Sequence, residues 1–353
     1  MSLADAVNEI GLRLFHELSA ASLAGDVVIS PLSIKTCMSM VSEGATEGSP
    51  NEQELAEVLG PKMPASSEDA AFDMANSAWI RGAIKEDYVQ NIQSSFNADV
   101  LPLESADPTP INQWVGEKTQ GRIPQLFEEL DPLTVMVLVN TVFFKGAWSN
   151  PFEKGDTKKM NFRGFSGSAP CHMMYKKDKR MNYVDSPELQ SVQLPYSAGG
   201  LSAAILLPKQ EGPKALDAVV AGLTSTSWVA LHSRLQSSRQ HVELHLPRFA
   251  VNFGEMLNDA FRSIGMREAF DGTGGFLRMS DDPNVHIDAI MHKATIEVNE
   301  EGTVASAATG AVMAARCMPP PSVPMMVDRP FLFLICDQSG ALIFLAKVVQ
   351  PSL

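Results

Sequence analysis

The sequence predicts a mixed α and β protein of the α+β class, and three observations carry that prediction. Residues 3–18 place Val7, Ile10, Leu14, Phe15 and Leu18 on one helical stripe. Residues 135–148 are almost continuously apolar, which is typical of a strand buried on both faces. Residues 292–299 alternate apolar and polar side chains with the two-residue period of a half-buried strand. Helices and strands are therefore both expected along the chain.

The composition and net charge of the chain disfavour two classes of partner. The chain has 353 residues, of which 45% are hydrophobic and 20% charged, as in ordinary globular proteins. Its formal net charge of −13 disfavours nucleic acid and anionic membranes as partners. No stretch is long and apolar enough to cross a membrane. We expect no nucleic-acid partner and no membrane partner.

The cysteines and the first residues predict a reducing compartment. Cys37, Cys171, Cys317 and Cys336 are scattered, with neither a disulfide framework nor a metal-binding spacing. Residues 1–20 contain regularly placed charges and no apolar core of the kind found in a cleavable signal peptide. The sequence therefore predicts a protein with reduced thiols that resides in the cytoplasm.

Each element of the first half has a local justification. Ser30 suits a helix N-cap and Pro31 the first helical position, and the nearly uncharged residues that follow predict a deeply buried helix. Asn140 is the polar exception within the buried strand and needs hydrogen-bonding partners there. The predicted elements are a helix at 3–18, a strand at 27–29, helices at 32–41 and 51–59, a helix at 87–96, a strand at 99–103, a helix from about 110 that stops at Gly121, and a strand at 135–148.

The second half is predicted to be rich in strands. Strands are expected at 191–194, 201–207 and 242–249, and a closing hairpin of strands 331–336 and 341–348 around the turn 337–340. His241, Glu243 and His245 share one face of a strand, but we interpret them as a solvated face because no further imidazole or thiolate is close in sequence. No nucleophile elbow, phosphate loop or zinc motif occurs. We predict no enzyme activity, no cofactor and no metal.

Residues 297–321 contain the most informative stretch of the chain. Between Glu301 and Arg316 there is no charge, and Gly302 and Gly310 disfavour a helix there. A continued two-residue period would place Thr303 and a row of small or apolar residues on one face. Three consecutive prolines at 319–321 end the pattern. We interpret the segment as extended rather than helical, with one face that could be buried.

Two motifs in this part of the chain resemble the serpin family of protease inhibitors. Residues 300–309 resemble the hinge of the serpin reactive-centre loop, and residues 328–335 (Asp-Arg-Pro-Phe-Leu-Phe-Leu-Ile) resemble the family's C-terminal signature. In this family a protease cleaves the exposed loop, which then inserts as a new central strand. The hinge residues implied are Glu300, Glu301, Gly302, Thr303, Val304, Ala305, Ser306, Ala307, Ala308 and Thr309.

The resemblance also implies a sheet-opening region and a fold. Ser30 and Ser33 match the family's serines under the gap where its main sheet opens, Asn140 and His292 match a pair of partners there, and Trp148 matches the tryptophan beneath the start of the loop. The resemblance covers nearly the whole chain, and it also implies a strand at 72–80 and a helix at 256–270. It implies one serpin domain over residues 1–353, with three β-sheets, about eight helices and a reactive-centre loop at 300–321.

One departure from the family concerns the helix expected near residues 61–71. Only about a dozen residues separate the helix at 51–59 from the next strand, and they are rich in proline and acidic residues. We therefore predict that this helix, which often carries heparin-binding basic residues, is shortened or absent. Activation by heparin is not expected.

The position of the reactive bond predicts the target. The family's usual distance from the hinge glutamate to the cleaved bond, counted from Glu300, implies Arg316-Cys317, and a shift of register would give Ala315-Arg316 or Cys317-Met318 instead. An arginine before the cleaved bond suits the carboxylate in a trypsin-like specificity pocket. The resemblance to the ovalbumin-like branch then implies a monomeric, irreversible suicide-substrate inhibitor that forms a covalent one-to-one complex with trypsin-like serine proteases. It would be cytoplasmic, or secreted without a cleaved signal peptide. The alternatives are a non-inhibitory carrier, chaperone or storage protein, and an inhibitor of a cysteine protease.

Overall fold

The computed structural model describes residues 2–63, 72–123, 125–144, 146–302 and 321–352. These described residues form eight α-helices and two short 3-10 helices. The α-helices are α1 (Leu3–Ala21), α2 (Pro31–Gly44), α3 (Pro50–Leu59), α4 (Glu86–Phe96), α5 (Thr109–Lys118), α6 (Pro213–Gly222), α7 (Ser225–Ser237) and α8 (Asn258–Ser263).

Fourteen strands lie in the same described residues. They are β1 (Val27–Ile29), β2 (Phe72–Ile80), β3 (Asp99–Pro102), β4 (Met136–Phe144), β5 (Lys158–Gly164), β6 (Gly167–Asp185), β7 (Leu189–Pro195), β8 (Ser202–Pro208), β9 (Gln240–Pro247), β10 (Phe249–Met256), β11 (Ala289–Val298), β12 (Val323–Met326), β13 (Phe331–Cys336) and β14 (Leu342–Val348). The predicted mixed α+β class is confirmed.

The strands form two connected networks. One is a five-stranded sheet in the order β10-β11-β4-β2-β3, in which the central neighbours β4 and β11 are parallel. The other runs β1-β14-β13-β8-β7-β6-β9-β12, with β5 also paired to β6. The long strand β6 divides this second network, because its first part pairs with β5 and β9 and its last residues pair with β7. Counting the two parts separately gives the three predicted sheets.

Strand β4 lies at the centre of the five-stranded sheet and is buried on both faces, as its continuous hydrophobicity predicts. Val137 and Val139 pack into one apolar cluster together with Trp114 of α5. Met136 and Leu138 point to the opposite face and join a larger cluster that includes residues of α1 and α2. The two faces of β4 therefore belong to different parts of the core.

Helix α2 begins as its sequence predicts. The Ser30 hydroxyl accepts a hydrogen bond from the Ser33 backbone N–H at 3.2 Å, and Pro31 occupies the first helical turn. The one charged side chain of the buried middle, Lys35, donates to the carbonyl oxygens of Leu59 (2.5 Å) and Pro61 (2.7 Å) at the end of α3. Burial lowers the pKa of Lys35 to about 8. Those two carbonyls satisfy the ammonium group and let α2 lie deep in the protein.

Several predicted boundaries differ from the structure. The helix expected at 256–270 is the short α8 followed by a 3-10 turn at Glu268–Phe270, because Gly265 has a φ of +108° and ends the helix. The strand expected at 242–249 is two strands, β9 and β10, that separate at Arg248. Helices α6 and α7 and the hairpin of β5 and β6 were not identified from the sequence. Residues 64–71, on which most of the prediction of a missing helix falls, lie outside the described residues.

Candidate functional site

The chain reverses direction immediately after β11. The backbone groups of Asn299 and Gly302 bond to each other in both directions, with N···O distances of 2.8 and 3.2 Å. Gly302 also forms an antiparallel bridge with Ala147, which lies just beyond the end of β4. The turn therefore places Gly302 beside the end of β4.

Gly302 is required in this turn for two reasons. Its φ of +129° lies in the region that side chains disfavour. A Cβ atom added there would lie 2.1 Å from the carbonyl oxygen of Gly146 and 2.6 Å from the Cα of Ala147. Any larger residue would push the turn away from the end of β4.

The turn is held by Glu300, which is 2% exposed. Arg248 donates to its Oε1 from Nε (2.8 Å) and Nη2 (2.5 Å), and the Thr157 hydroxyl donates at 2.5 Å. Burial by itself would raise the pKa of Glu300, but the hydrogen bonds from Arg248 and Thr157 outweigh it, so the pKa is lowered. The neighbouring Glu301 forms an ion pair with Lys154. Glu300 is thus ionised and buried, and its hydrogen bonds hold the turn at 299–302 in place.

Trp148 packs beneath the turn. Its indole N–H donates to the Asn299 carbonyl oxygen at 3.0 Å, and its backbone N–H donates to the Glu301 carbonyl oxygen at 2.9 Å. The indole ring stacks on Tyr196 with a centroid distance of 4.4 Å and an interplanar angle of 11°. Trp148 therefore contacts the turn at 299–302 through both its side chain and its backbone.

The ladder between β4 and β11 is shorter than β11 itself. It runs from Ala289 opposite Val137 to Thr295 opposite Phe143. Strand β11 continues for three more residues, which remain paired with β10 as far as Val298 opposite Phe249. Within the described residues, the last part of β11 is therefore bonded on one side, toward β10.

A buried polar network joins β2, β4 and β11 to the start of α2. The Asn140 amide group donates to the Ser33 hydroxyl at 2.6 Å and to Oδ1 of Asn76 at 2.5 Å. Nδ1 of His292 lies 2.5 Å from Oδ1 of Asn140, and the Ser30 backbone N–H donates to Nε2 of His292 at 3.3 Å. These side chains are each 2% exposed or less. The network connects the facing strands β4 and β11 directly under the sheet.

The hydrogen bonds fix the state of His292. Because Nε2 accepts from the Ser30 N–H, the ring proton must be on Nδ1, which donates to Asn140. Complete burial lowers the pKa of His292 to about 3, so the ring is neutral at physiological pH. Protonation would place a second N–H against the backbone N–H of Ser30, which has no acceptor to offer it.

The structure groups the predicted site residues in two places. Ser30, Ser33, Asn140 and His292 meet in the network under the centre of the sheet, whereas Trp148 lies at its end with Glu300, Glu301 and Gly302. The remaining hinge residues, Thr303 to Thr309, and the predicted reactive bond, Arg316-Cys317, lie outside the described residues.

The sequence analysis did not assign Asn76 and Arg248 to the site. Asn76 is polar in a buried strand, as Asn140 is, and the same argument from an unsatisfied amide could have identified it. Arg248 had no comparable signal, because its role depends on a contact with Glu300, which is distant in sequence.

The other candidate residues form no site of their own in the described part of the chain. Glu243 pairs with Lys177, and the His245 ring lies 4.9 Å from the ring of Tyr175. No group of three or more metal-ligating side chains occurs among the residues that the structure describes. Cys37, Cys171 and Cys336 are buried free thiols, and burial raises the pKa of Cys37 to about 12. Among the described helices, none has the length and apolar character required to span a bilayer.

The geometry of this end of the sheet allows one further strand. Strands β4 and β11 are parallel, and the turn at 299–302 reverses the chain that leaves β11. A segment that ran back between them from Gly302 would be antiparallel to both neighbours. It would replace one parallel ladder with two antiparallel ones, which are slightly more stable per residue.

Comparisons with known proteins place the chain in a family. The sequence model of Serpin (serine protease inhibitor) matches residues 5–351. Leukocyte elastase inhibitor A of Rattus norvegicus is 31% identical, with 99% of both chains covered. Serpin B11 of Mus musculus is 30% identical, with 98% of both chains covered. The solved structure of human thyroxine-binding globulin in complex with thyroxine superposes with a TM-score of 0.86 at 21% identity over 99% of both chains, which shows the shared fold. The chain belongs to the serpin family.

Proposed function

We propose that this protein is an irreversible suicide-substrate inhibitor of trypsin-like serine proteases. A protease would cleave the Arg316-Cys317 bond of the loop at 300–321, and the loop would then insert between β4 and β11. The observation that carries this proposal is the turn at Asn299–Gly302. It brings Gly302 beside the end of β4, next to the last three residues of β11, which within the described residues are paired with β10 but not with β4.

The covalent chemistry would follow the serine protease mechanism through acylation and stop before hydrolysis of the ester. The protease serine oxygen attacks the carbonyl carbon of Arg316, the Arg316-Cys317 peptide bond breaks, and the new amino group of Cys317 leaves with a proton. An ester then joins Arg316 to the protease. Hydrolysis of that ester would release an active protease, so the loop must insert before water attacks.

Insertion has the free energy to trap the enzyme. It would break the seven-pair ladder between β4 and β11 and form two new ladders. Each additional backbone hydrogen bond contributes about 1 kcal/mol net, so a loop of a dozen residues contributes on the order of 10 kcal/mol. This free-energy gain is comparable to the stability of a typical protease, about 5–15 kcal/mol, and would be sufficient to distort the trapped enzyme. The uncleaved fold is accordingly held by a kinetic barrier.

The alternatives differ in what happens after cleavage. A carrier, chaperone or storage protein of this family would be cut without inserting its loop, and an inhibitor of a cysteine protease would form a thioester. Thyroxine-binding globulin shares the fold, so the fold by itself does not separate these functions. The uncharged, small residues of Thr303, Ala305 and Ala307 support insertion, because they can be buried in a sheet.

The domain organisation, assembly and location of the protein are part of the same proposal. We propose that residues 1–353 form one serpin domain, that the protein acts as a monomer without a cofactor, and that its product is a covalent one-to-one complex. A cytoplasmic location, or export without a cleaved signal peptide, agrees with the resemblance to leukocyte elastase inhibitor A and with the buried free thiols.

The decisive experiment is a reaction with trypsin. Equimolar mixing should produce a complex that survives boiling in detergent, and mass spectrometry should find the released C-terminal fragment beginning with Cys317. The Arg316→Ala variant is the matched control, since it should lose inhibition of trypsin while retaining the hinge and the fold. Complete turnover of the wild-type chain without any stable complex would reject inhibition.

A further inference from the structure

A cavity is lined in part by Tyr196, the residue whose ring stacks on Trp148. It has a volume of about 470 Å³ and is bounded by β6, β7, the end of α7 and the turn before β8. Pockets for small molecules commonly have volumes of about 300–1,000 Å³. The cavity is therefore large enough for a metabolite of ordinary size.

Three cationic side chains line this cavity: Lys176, Arg180 and Arg239. None of them forms an ion pair in the part of the chain that the structure describes, although Lys154 and Lys177 nearby each pair with a glutamate. Asp178 is the single carboxylate among the described residues of the lining. On a protein with 41 acidic and 28 basic residues, three cations without a paired carboxylate are an unusual concentration of positive charge.

The floor of the cavity is polar and already organised. Gln193 is 2% exposed, and its amide nitrogen donates to the Ser202 hydroxyl at 2.6 Å. Its carbonyl oxygen accepts from Asn182 at 3.0 Å and from Gln236 at 3.2 Å. These bonds hold the amides in place before any ligand arrives, so binding would require little ordering of side chains.

Lys176 is also held in position. Its ammonium group donates to the carbonyl oxygen of Asn150 and lies 4.7 Å from the centroid of the Phe152 ring. Burial lowers the pKa of Lys176 to about 8, and this value leaves the group mostly protonated at pH 7. The cavity therefore presents a fixed cation at one side and two exposed guanidinium groups, which suit carboxylates and phosphates.

We propose that this cavity is a binding site for a small organic or inorganic anion that carries at least two negative charges on carboxylate or phosphate groups. The charges would be bound by Lys176, Arg180 and Arg239, and the amide-lined floor would receive the polar remainder of the ligand.

The wall of the cavity is connected to the base of the loop. Tyr196 stacks on Trp148, and the Ser149 hydroxyl donates to the Tyr196 carbonyl oxygen at 2.7 Å. Trp148 in turn bonds to the Asn299 carbonyl oxygen. A ligand that contacts Tyr196 should consequently change the environment of the Trp148 indole, which provides a fluorescent reporter of occupancy.

The test is calorimetric titration of the uncleaved protein at pH 7 and constant ionic strength, with citrate and pyrophosphate as separate probes. At least one probe should bind saturably with one site per chain, and the probe that binds identifies the carboxylate or the phosphate chemistry. The triethyl ester of citrate, which is uncharged, should not bind. Absence of saturable binding by both anions, or equal binding of the ester, would overturn the proposal.

Two double variants locate the site. Arg180→Ala with Arg239→Ala should weaken binding by at least about tenfold, because two charge-assisted contacts are lost. Lys159→Ala with Lys214→Ala removes the same charge from exposed positions outside the lining and should change binding less than twofold. If both double variants weaken binding equally, the effect is one of net charge and the site is wrong.

In Trp148→Phe the calorimetric binding should persist while the ligand-induced change in fluorescence disappears. A fluorescence change that persists in this variant would also contradict the assignment.

Discussion

Two pairs of neighbouring strands differ in how the chain connects them and in the side chains that lie beneath them. Strands β13 and β14 are antiparallel, fully buried and joined by the short turn at 337–341. Strands β4 and β11 are parallel and far apart in the sequence, and a polar network of Asn140, His292 and the two serines of α2 crosses beneath them.

The difference is one of connection and of what lies between the strands. A new strand cannot enter between β13 and β14 without opening their hairpin. No short turn joins β4 to β11, so the proposed insertion would not have to open a hairpin. It would have to break the hydrogen bond between Asn140 and His292, which joins the two strands. Five predictions test this contrast.

The largest effect is expected when the loop is cut. Cleavage at 300–321 by a protease that is not inhibited should let the loop insert and raise the melting temperature by about 20 °C, given a gain on the order of 10 kcal/mol. Differential scanning calorimetry of intact and cleaved protein measures this. An unchanged melting temperature after verified cleavage would show that β4 and β11 stay together.

Thr303→Arg should convert the inhibitor into a substrate. It places a charge on the inward face at the first step of insertion, with a penalty of several kcal/mol if the charge is buried without a partner. Trypsin should still cleave at Arg316 but should be released. The number of inhibitor molecules consumed per trapped trypsin measures the outcome.

Val304→Glu is the control for that variant. It introduces a charge at the next residue, on the opposite face of the same segment, and should leave inhibition nearly intact. If Thr303→Arg traps trypsin as well as the wild type does, loop insertion is not the mechanism.

The third prediction compares polar pairs in the two sheets. In the uncleaved protein, a double-mutant cycle of Asn140→Ala and His292→Ala should give a coupling energy of about 0.5–3 kcal/mol. After insertion the coupling should fall to near zero, because an intervening strand separates β4 from β11 by about 9–10 Å. Urea unfolding of each form gives the values.

A second cycle in the nine-stranded network provides the contrast. Gln193 and Ser202 lie on the adjacent strands β7 and β8, which insertion does not separate. Gln193→Ala and Ser202→Ala should show the same coupling in the intact and the cleaved protein. Loss of this coupling as well would mean that insertion rearranges both sheets.

The fourth prediction concerns the pH dependence of His292. Its pKa is about 3 in the fold and about 6.5 when unfolded, so the unfolded chain binds a proton that the folded chain does not. The stability of the uncleaved protein should fall as the pH drops below 6.5, by about 2 kcal/mol between pH 7 and pH 5 from this group.

His292→Gln should remove this part of the pH dependence, while His286→Gln, which changes a partly exposed histidine, should retain it. Chemical unfolding at pH 7, 6 and 5 gives the comparison. Equal slopes in the wild type and His292→Gln would contradict the neutral, buried state of the ring.

The smallest effect is expected from heparin. If the basic helix near residues 61–71 is shortened or absent, as the sequence predicts, this acidic chain should show the same inhibition rate with and without heparin. The target must be a protease that does not itself bind heparin. A large, saturable acceleration would reveal a polyanion site that acts on the loop.

The sequence predicted the elements that have a strong local signal. The caps of α2, the burial of β4 and the closing hairpin follow from Ser30 and Pro31, from an unbroken apolar run, and from two apolar runs around the turn at 337–340. The predicted boundaries near Arg248 and Gly265 were wrong. In each case a single residue ends an element although the apolar pattern of the sequence continues past it. Helices α6 and α7 were missed, since their short apolar stripes lie among strand-like segments.

The sequence by itself determined the mixed fold, the need of Asn140 for a partner, the uncharged face of the loop and the arginine at its predicted reactive bond. These properties depend on residue type and spacing, which the chain carries locally. Only the tertiary structure decided that Arg248 and Thr157 hold Glu300, that Asn76 completes the network, and that the hinge begins beside the end of β4. Such contacts join residues that are distant in sequence, and their free energy exists only once the sheets have brought those residues together.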